Sequence, residues 1–256
     1  MPVAIRCVYT DLDGTLLGRF GSLFREADGE FSLLPARALE ACHRADVEVV
    51  LKSGRRREQV MEDARLIGQS AYIYEIGSGL VIDGEEHFLC GPYAPRDGLS
   101  PHDLIGDAGA PALLERSFGD AIEPHAPWHL DRYVSHLYRG TLDVGEANAL
   151  LEREGHGDLR LVDNGEIEDG RSVYHLVPSV ASKAAAVQFH MTARGYEPEQ
   201  CIAVGDSLED LGVAEVVGRF FMVANGPEAS GANVERTESS HGEGFYEAVV
   251  RSLMGG

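Results

Sequence analysis

VYTDLDGTLL, residues 8–17, is the stretch that decides how this chain is read. The apolar run Val3–Thr10 reads as a buried strand, and it ends in two aspartates, Asp11 and Asp13. Side chains two apart on a strand point the same way. Two carboxylates so placed at a strand end repel unless a cation or a shared proton relieves them. Gly14 permits a tight turn, and the Thr15 hydroxyl can bond locally. One carboxylate can act as nucleophile and the other as general acid/base, with a divalent metal holding them. The ordinary alternative is a solvated turn with a helix cap, for which an acidic pair of this form after an apolar strand is too specific.

Outward from that strand, short β-branched runs alternate with helical patterns. Helices are expected over Pro35–Ala45 and Arg56–Ile67, with strands at Val47–Leu51, Tyr72–Ile76 and Leu80–Ile82. Later come a helix over Ser182–Ala193, a strand at Cys201–Val204, a helix over Leu208–Val217, a strand at Phe220–Val223 and a closing helix, Glu243–Leu253. Strands apolar throughout, alternating with helices, predict an α/β fold: a doubly wound parallel sheet covered on both faces. Ligands bind at the carboxyl ends of such strands, and Asp11, Ser53 and Asp206 all fall just after one. Between about 85 and 171 the alternation weakens. Gly, Pro, His and Asp cluster in CGPYAPRDGLSPHDLIGDAGAP, and strands are expected at Arg132–Tyr138, Leu159–Val162, Glu166–Ile167 and Val173–Val177, with a helix over Gly145–Arg153. This reads as a small α+β insert, residues 85–171, between two halves of a core, 1–84 and 172–256. The connection Gly18–Phe31 is long enough to suggest function or mobility.

Three further clusters bear on chemistry. In GDSLEDLG, residues 205–212, Asp206 follows a strand and Asp210 sits in the first helical turn. Oxygen ligands at that spacing suit Mg2+, and Asp11, Asp206 and Asp210 together make a site for a hard cation. In Lys52-Ser53-Gly54-Arg55, a serine hydroxyl and the Gly54 N–H at a strand-to-helix turn can bind phosphate oxygens, or the serine can simply cap the helix. Lys52 reads as a flank. Lys183 stands near a helix N-terminus, the wrong end for a cation. The chain has two lysines, Lys52 and Lys183, against twenty arginines, so a lysine there suggests a need for a compact point charge.

These four motifs, in this order, resemble those of the haloacid dehalogenase superfamily of phosphotransferases, with a Rossmann-like core, and the insert resembles its type IIB cap. The resemblance implies that Asp11 attacks phosphorus to form an aspartyl-phosphate. It implies that Asp13 protonates the leaving alkoxide and then activates water. Ser53, Gly54 and Lys183 would hold the phosphoryl group. Asp11, the Asp13 carbonyl and Asp206 would bind Mg2+, with Asp210 as a ligand or a support. GRSVYHLVPSVASKAAAVQF (170–189) and HGEGFYEAV (241–249) are similar to the mannosyl-3-phosphoglycerate phosphatase branch, whose neighbours are sucrose-phosphate phosphatases. On that basis Arg171, then His175, are the candidates for reading the substrate from the cap. There are departures: isoleucine follows Glu75 where the branch has asparagine, and Ser135-His136-Leu137 replaces an acidic-Pro element. The expected function is a Mg2+-dependent phosphatase of a small sugar phosphate or glycosyl-phosphoglycerate. A phosphomutase and a non-catalytic phosphate-binding module are the alternatives.

Composition narrows the partners. With 256 residues and 44% hydrophobic content the chain can bury a large core. A formal charge of −20 argues against nucleic acid and anionic membrane as partners. No apolar stretch approaches the ~20 residues of a membrane span. The start MPVAIRCVYTD reaches charge too soon for a signal peptide. Cys7, Cys42, Cys90 and Cys201 show no CxxC spacing and read as small hydrophobes in a reducing compartment. A cytoplasmic monomer or homodimer acting on a small metabolite is expected. His125 and His129 have helical spacing, but Pro124 and Pro127 break that helix, so zinc is not expected. Trp128 reads as insert core, with an aromatic floor for a sugar as the alternative.

Overall fold

The computed structural model describes residues 3–167 and 169–254. The first strand, β1 (Cys7–Thr10), is wholly buried because both its faces are covered. Val8 packs with one apolar cluster, and Cys7 and Tyr9 with the other. Next come α1 (Leu34–Arg44), β2 (Glu48–Lys52), α2 (Arg57–Leu66), β3 (Tyr72–Tyr74), β4 (Gly79–Ile82) and β5 (Glu85–Phe88). The insert follows with α3 (Pro101–Asp107), α4 (Ala110–Phe118), β6 (Ile122–Pro124), β7 (His136–Gly140), α5 (Val144–Arg153), β8 (Leu159–Glu166) and β9 (Ser172–Pro178). The chain closes with α6 (Lys183–Arg194), β10 (Cys201–Gly205), α7 (Leu208–Leu211), β11 (Arg219–Met222), β12 (Val234–Arg236) and α8 (His241–Met254).

The large sheet runs β12-β11-β10-β1-β2-β3-β4-β5. Buried residues of α1, α2 and α8 cover one face, and those of α6 cover the other. The doubly wound α/β core is therefore present, with one correction: the sheet is parallel only as far as β3, and β4 and β5 are antiparallel. Only residues 75–78 join β3 to β4, too few for the crossover that a parallel partner needs. Glu75, Ile76 and Gly77 make that turn with φ of 46, 60 and 81°.

The insert builds a four-stranded antiparallel sheet, β6-β7-β9-β8, packed on α3, α4 and α5. Its expected limits shift at both ends. Residues 85–88 pair with β4 in the core sheet, and residues 172–178 lie between β7 and β8 in the insert sheet. We propose 89–178 as the insert on this ground. Helices α3 and α4 form within the stretch where Gly and Pro cluster, because Pro101 and Pro111 sit in their first turns and Ser100 caps α3 with Asp103. The strand expected from Arg132 begins only at His136, since the amides of residues 133–135 bond to a carboxylate instead. The helix expected over 208–217 is α7 plus a short 3-10 turn, Gly212–Glu215. Among the described residues no helix is long and apolar enough to cross a membrane.

Candidate active site

The carboxyl ends of β1, β2 and β10 lie side by side in register, so Asp11, Ser53 and Asp206 emerge at one edge. The Asp11 amide donates to Val204 O at 3.1 Å, which continues the ladder to the last residue before the turn. Gly14 then turns with φ +81°, and a Cβ there would lie 2.2 Å from Asp206 Oδ2. Only glycine fits both that backbone and that approach. Thr15 Oγ1 donates to Asp206 Oδ1 at 3.0 Å, so the 8–17 stretch braces the 205–212 stretch. Ser207 caps α7, accepting from the Asp210 amide at 3.1 Å and donating to Asp210 Oδ2 at 2.6 Å.

Asp11, Asp206 and Asp210 offer oxygens that all lie within 4.8 Å of one another. Burial first, then the neighbouring acids, push the Asp11 carboxyl up to about 7 against the pull of Lys183. Burial and Asp210 push Asp206 up to about 6. Burial also opposes ionisation of Asp210, but Lys183 and Lys52 outweigh it and hold it below the usual carboxylate range. Three hard oxygen donors that repel one another are the donor set that a small divalent cation satisfies. Mg2+ is the cofactor this cluster accommodates. Cys7, Glu48 and His190 form a second close group at the opposite ends of the strands, where Glu48 already binds Arg194 and Tyr196.

Lys183 opens α6 behind the Ser182 cap, as expected. Its Nζ donates to Asp11 Oδ1 at 2.6 Å and to Asp210 Oδ1 at 2.8 Å. Burial alone would lower its affinity for protons; Asp11 and Asp210 reverse that and hold it above its ordinary value. Ser53 is buried, and its Oγ accepts from the Arg55 amide at 3.1 Å. Gly54 lies where a Cβ would meet Asn164 Nδ2 at 2.8 Å and His175 Nε2 at 3.0 Å.

Asp13 differs from Asp11: its side chain is 59% exposed, and Arg55 grips both oxygens, Nε to Oδ2 at 2.7 Å and Nη2 to Oδ1 at 2.6 Å. Arg55 also reaches Asp63 Oδ2 at 2.9 Å. This clamp was missed, and its only signal was an arginine two residues after the serine. Lys52, read as a flank, is wholly buried, and its Nζ donates to Asp210 Oδ1 at 2.5 Å and to Val204 O at 3.1 Å. Burial draws Lys52 below its ordinary value, with Asp210 opposing.

Two adjoining cavities meet here, of about 460 and 450 Å³, both lined by Asp13, Gly54 and Asn164. The second contains Asp11, Ser53, Lys183, Asp206 and Asp210. The first extends under the insert past His125, Trp128, Arg132 and His175. His175 is fully buried and its Nδ1 has no partner. Burial, then Arg132, keep its ring far below the usual histidine value, hence neutral. Trp128 is 49% exposed at the cleft, so it is wall and not insert core. Arg171 lines neither cavity: Glu123 at 2.6 Å and Asp169 at 2.5 Å take its guanidinium at the insert's outer edge. The structure thus does not bring Arg171, expected to read the substrate, to the cleft, and two carboxylates already match its charge.

A family model described as haloacid dehalogenase-like hydrolase matches residues 161–248. A phosphoglycolate phosphatase of Archaeoglobus fulgidus is 27% identical over 95% of both chains. Another, from Methanothermobacter thermautotrophicus, is 26% identical over 97% of this chain and 99% of its own. Among solved structures, Thermoplasma acidophilum 0175 superposes with a TM-score of 0.71 at 18% identity, covering 98% of this chain and 99% of the other. The sucrose-phosphatase of Synechocystis sp. PCC6803 superposes with a TM-score of 0.70 at 17% identity over 98% of each. The chain shares the fold of these solved structures, an α/β core with an inserted cap, is similar to the haloacid dehalogenase-like hydrolases over residues 161–248, and is a hydrolase.

Proposed function

We propose that the protein hydrolyses a phosphate monoester through an aspartyl-phosphate on Asp11, with a leaving group read from the cap side of the cleft. The observation that carries this is the division of labour between the two aspartates. Asp11 is buried and bonded to Lys183, whereas Asp13 is open to the cleft and clamped by Arg55. In this reading an Asp11 oxygen attacks phosphorus in line while the bond to the leaving oxygen breaks. The Asp13 carboxyl gives its proton to that oxygen. Asp13 then takes a proton from the water that attacks the acyl-phosphate, which frees phosphate and restores Asp11. Ser53, Gly54 and Lys183 bind the phosphoryl oxygens. Asp11, the Asp13 carbonyl and Asp206 would hold Mg2+, which would supply charge neutralisation for the transferred group.

The substrate is a small phosphorylated metabolite, and mannosyl-3-phosphoglycerate is our finer reading. The cavity of about 460 Å³ beside Asp13 supports a leaving group larger than glycolate. Trp128 offers a ring face, and Asn164 and His175 offer polar atoms for hydroxyls. Phosphoglycolate is the competing substrate, since two relatives bear that name. Phosphate release with Mg2+ across glycosyl-phosphoglycerates, sucrose phosphate, hexose phosphates and phosphoglycolate, with EDTA as control, separates them. A preference for the glycosyl esters is expected. Faster turnover of phosphoglycolate would move the assignment to that substrate, and silence across the panel would refute the phosphatase reading.

A further inference from the structure

The two lysines of the chain lie 131 positions apart in sequence, yet both end on one atom, Asp210 Oδ1. Lys183 Nζ reaches it at 2.8 Å from the cleft side and also touches Asp11. Lys52 Nζ reaches it at 2.5 Å from the sheet, and its second bond, to Val204 O, anchors it to β10. Lys183 lines the cleft, whereas Lys52 does not and is wholly buried. The other Asp210 oxygen is held by Ser207 Oγ at 2.6 Å. A substrate can therefore touch Lys183 but not Lys52.

We propose that Lys52 is a positioning residue, a buried cation that pins Asp210 from behind and tilts the acidic cluster toward accepting an anion. Its need follows from charge. Asp11, Asp206 and Asp210 sum to −3, Lys183 brings that to −2, and a bound divalent cation brings it to zero. A neutral pocket has little pull on a phosphate dianion in a chain of formal charge −20. Lys52 raises the loaded cluster to +1 without entering the space the phosphoryl group needs. Its geometry matters as well. When Lys183 turns from Asp210 toward a phosphoryl oxygen, Lys52 keeps Asp210 Oδ1 paired and in place. Arginine would not serve, since its planar fork needs more room than a fully enclosed point charge.

The inference rests on the phosphatase reading above, and its test uses binding as well as turnover. Mg2+ binding by titration calorimetry and phosphate binding in the presence of Mg2+ are measured on the whole protein, the Lys52→Met variant and the Lys52→Gln variant. Kinetics are followed with two substrates. Removing the cation should tighten Mg2+ and weaken phosphate, each by at least about threefold, as expected for a unit charge a few ångströms away in a partly screened site. kcat/KM should fall by a common factor for both substrates, because Lys52 does not touch the leaving group. Opposite signs for cation and anion are what loose packing cannot produce, since damage weakens both. Loss of both affinities together, or no change in either, overturns the proposal. Lys52→Gln retains an uncharged hydrogen-bond donor on the side facing Asp210 and Val204, so it carries the test where methionine does not fold. If even the wild-type protein binds neither ion, the phosphatase reading falls, and this inference falls with it. If the wild type binds both and the variants match it, only the role of Lys52 falls.

Discussion

Two aspartates two positions apart do different work because their surroundings differ. Asp11 is enclosed and pressed by Asp206 and Asp210, while Asp13 is open and clamped by Arg55. Asp11→Asn should leave the fold intact and lower turnover by about 10⁴-fold or more, the scale of losing a nucleophile; near-native phosphate release would refute the assignment. Asp13→Asn should still attack, so quenched reactions should show phosphate trapped on Asp11 by mass spectrometry, and a substrate that turns over without leaving that adduct would count against Asp13. The raised carboxyls also set a pH dependence. A carboxyl raised on folding stabilises the fold fully below its unfolded value near 4 and loses that contribution as pH rises through its folded value. For Asp11 the folded value is about 7 and for Asp206 about 6. Asp210, held low, stays ionised throughout that window. The metal-free protein should therefore melt several degrees lower at pH 8 than at pH 5, and saturating Mg2+ should shrink the gap. A gap unchanged by Mg2+ would mean that the cation does not bind this cluster.

At the scale of elements, the turn after β3 decides how insert meets core. Glu75 is fully buried, and its oxygens accept from the amides of Tyr133, Val134 and Ser135 at 2.9, 3.1 and 2.6 Å and from Ser135 Oγ at 2.9 Å. Arg132 beside them bonds Ser135 Oγ at 2.8 Å and reaches Gly54 O. Ile76 follows with φ +60°, a conformation that costs a β-branched residue, and packs on Val162 and Val177 of the insert. Glu75→Ala should cost roughly 3 kcal/mol, as several buried N–H groups lose their acceptor. Urea unfolding measures it, and a loss under about 1 kcal/mol would mean that water replaces the carboxylate. This joint also shows where sequence reasoning stops. The strand-end positions of Asp11, Ser53 and Asp206 were legible because parallel strands impose them. Lys183 was legible as a cation at the wrong end of a helix. Glu75, Arg132, Arg55 and Lys52 were not, because each acts on residues far along the chain, and only packing reveals which buried charge faces which. Arg171 was legible only in part: Asp169 stands two positions before it, but nothing nearby announces that Glu123, 48 positions away, takes its other nitrogen.

Over the whole molecule, a strongly acidic chain gathers four of its 22 lysines and arginines at one seam. Lys52, Lys183, Arg55 and Arg132 gather where insert and core meet, beside the cleft that runs from Asp11 to Trp128. The phosphoryl end of that seam is charged and enclosed; the far end is aromatic and open, with Trp128 49% and Phe20 82% exposed on its walls. One wall belongs to the insert and the other to the long connection after the first motif, so the far end is a product of the assembled fold. A ring-bearing leaving group would cover aromatic surface that glycolate could not reach. Trp128→Ala should therefore raise KM for a glycosyl ester about tenfold, the scale of losing one ring face. It should leave KM for phosphoglycolate within about twofold and kcat for both nearly unchanged, because such a contact is equal in ground and transition states. A parallel rise for both substrates would mean that Trp128 shapes the cleft without reading its contents. A rise for phosphoglycolate alone would place the smaller ester against the ring and return the substrate to the one for which the two relatives are named.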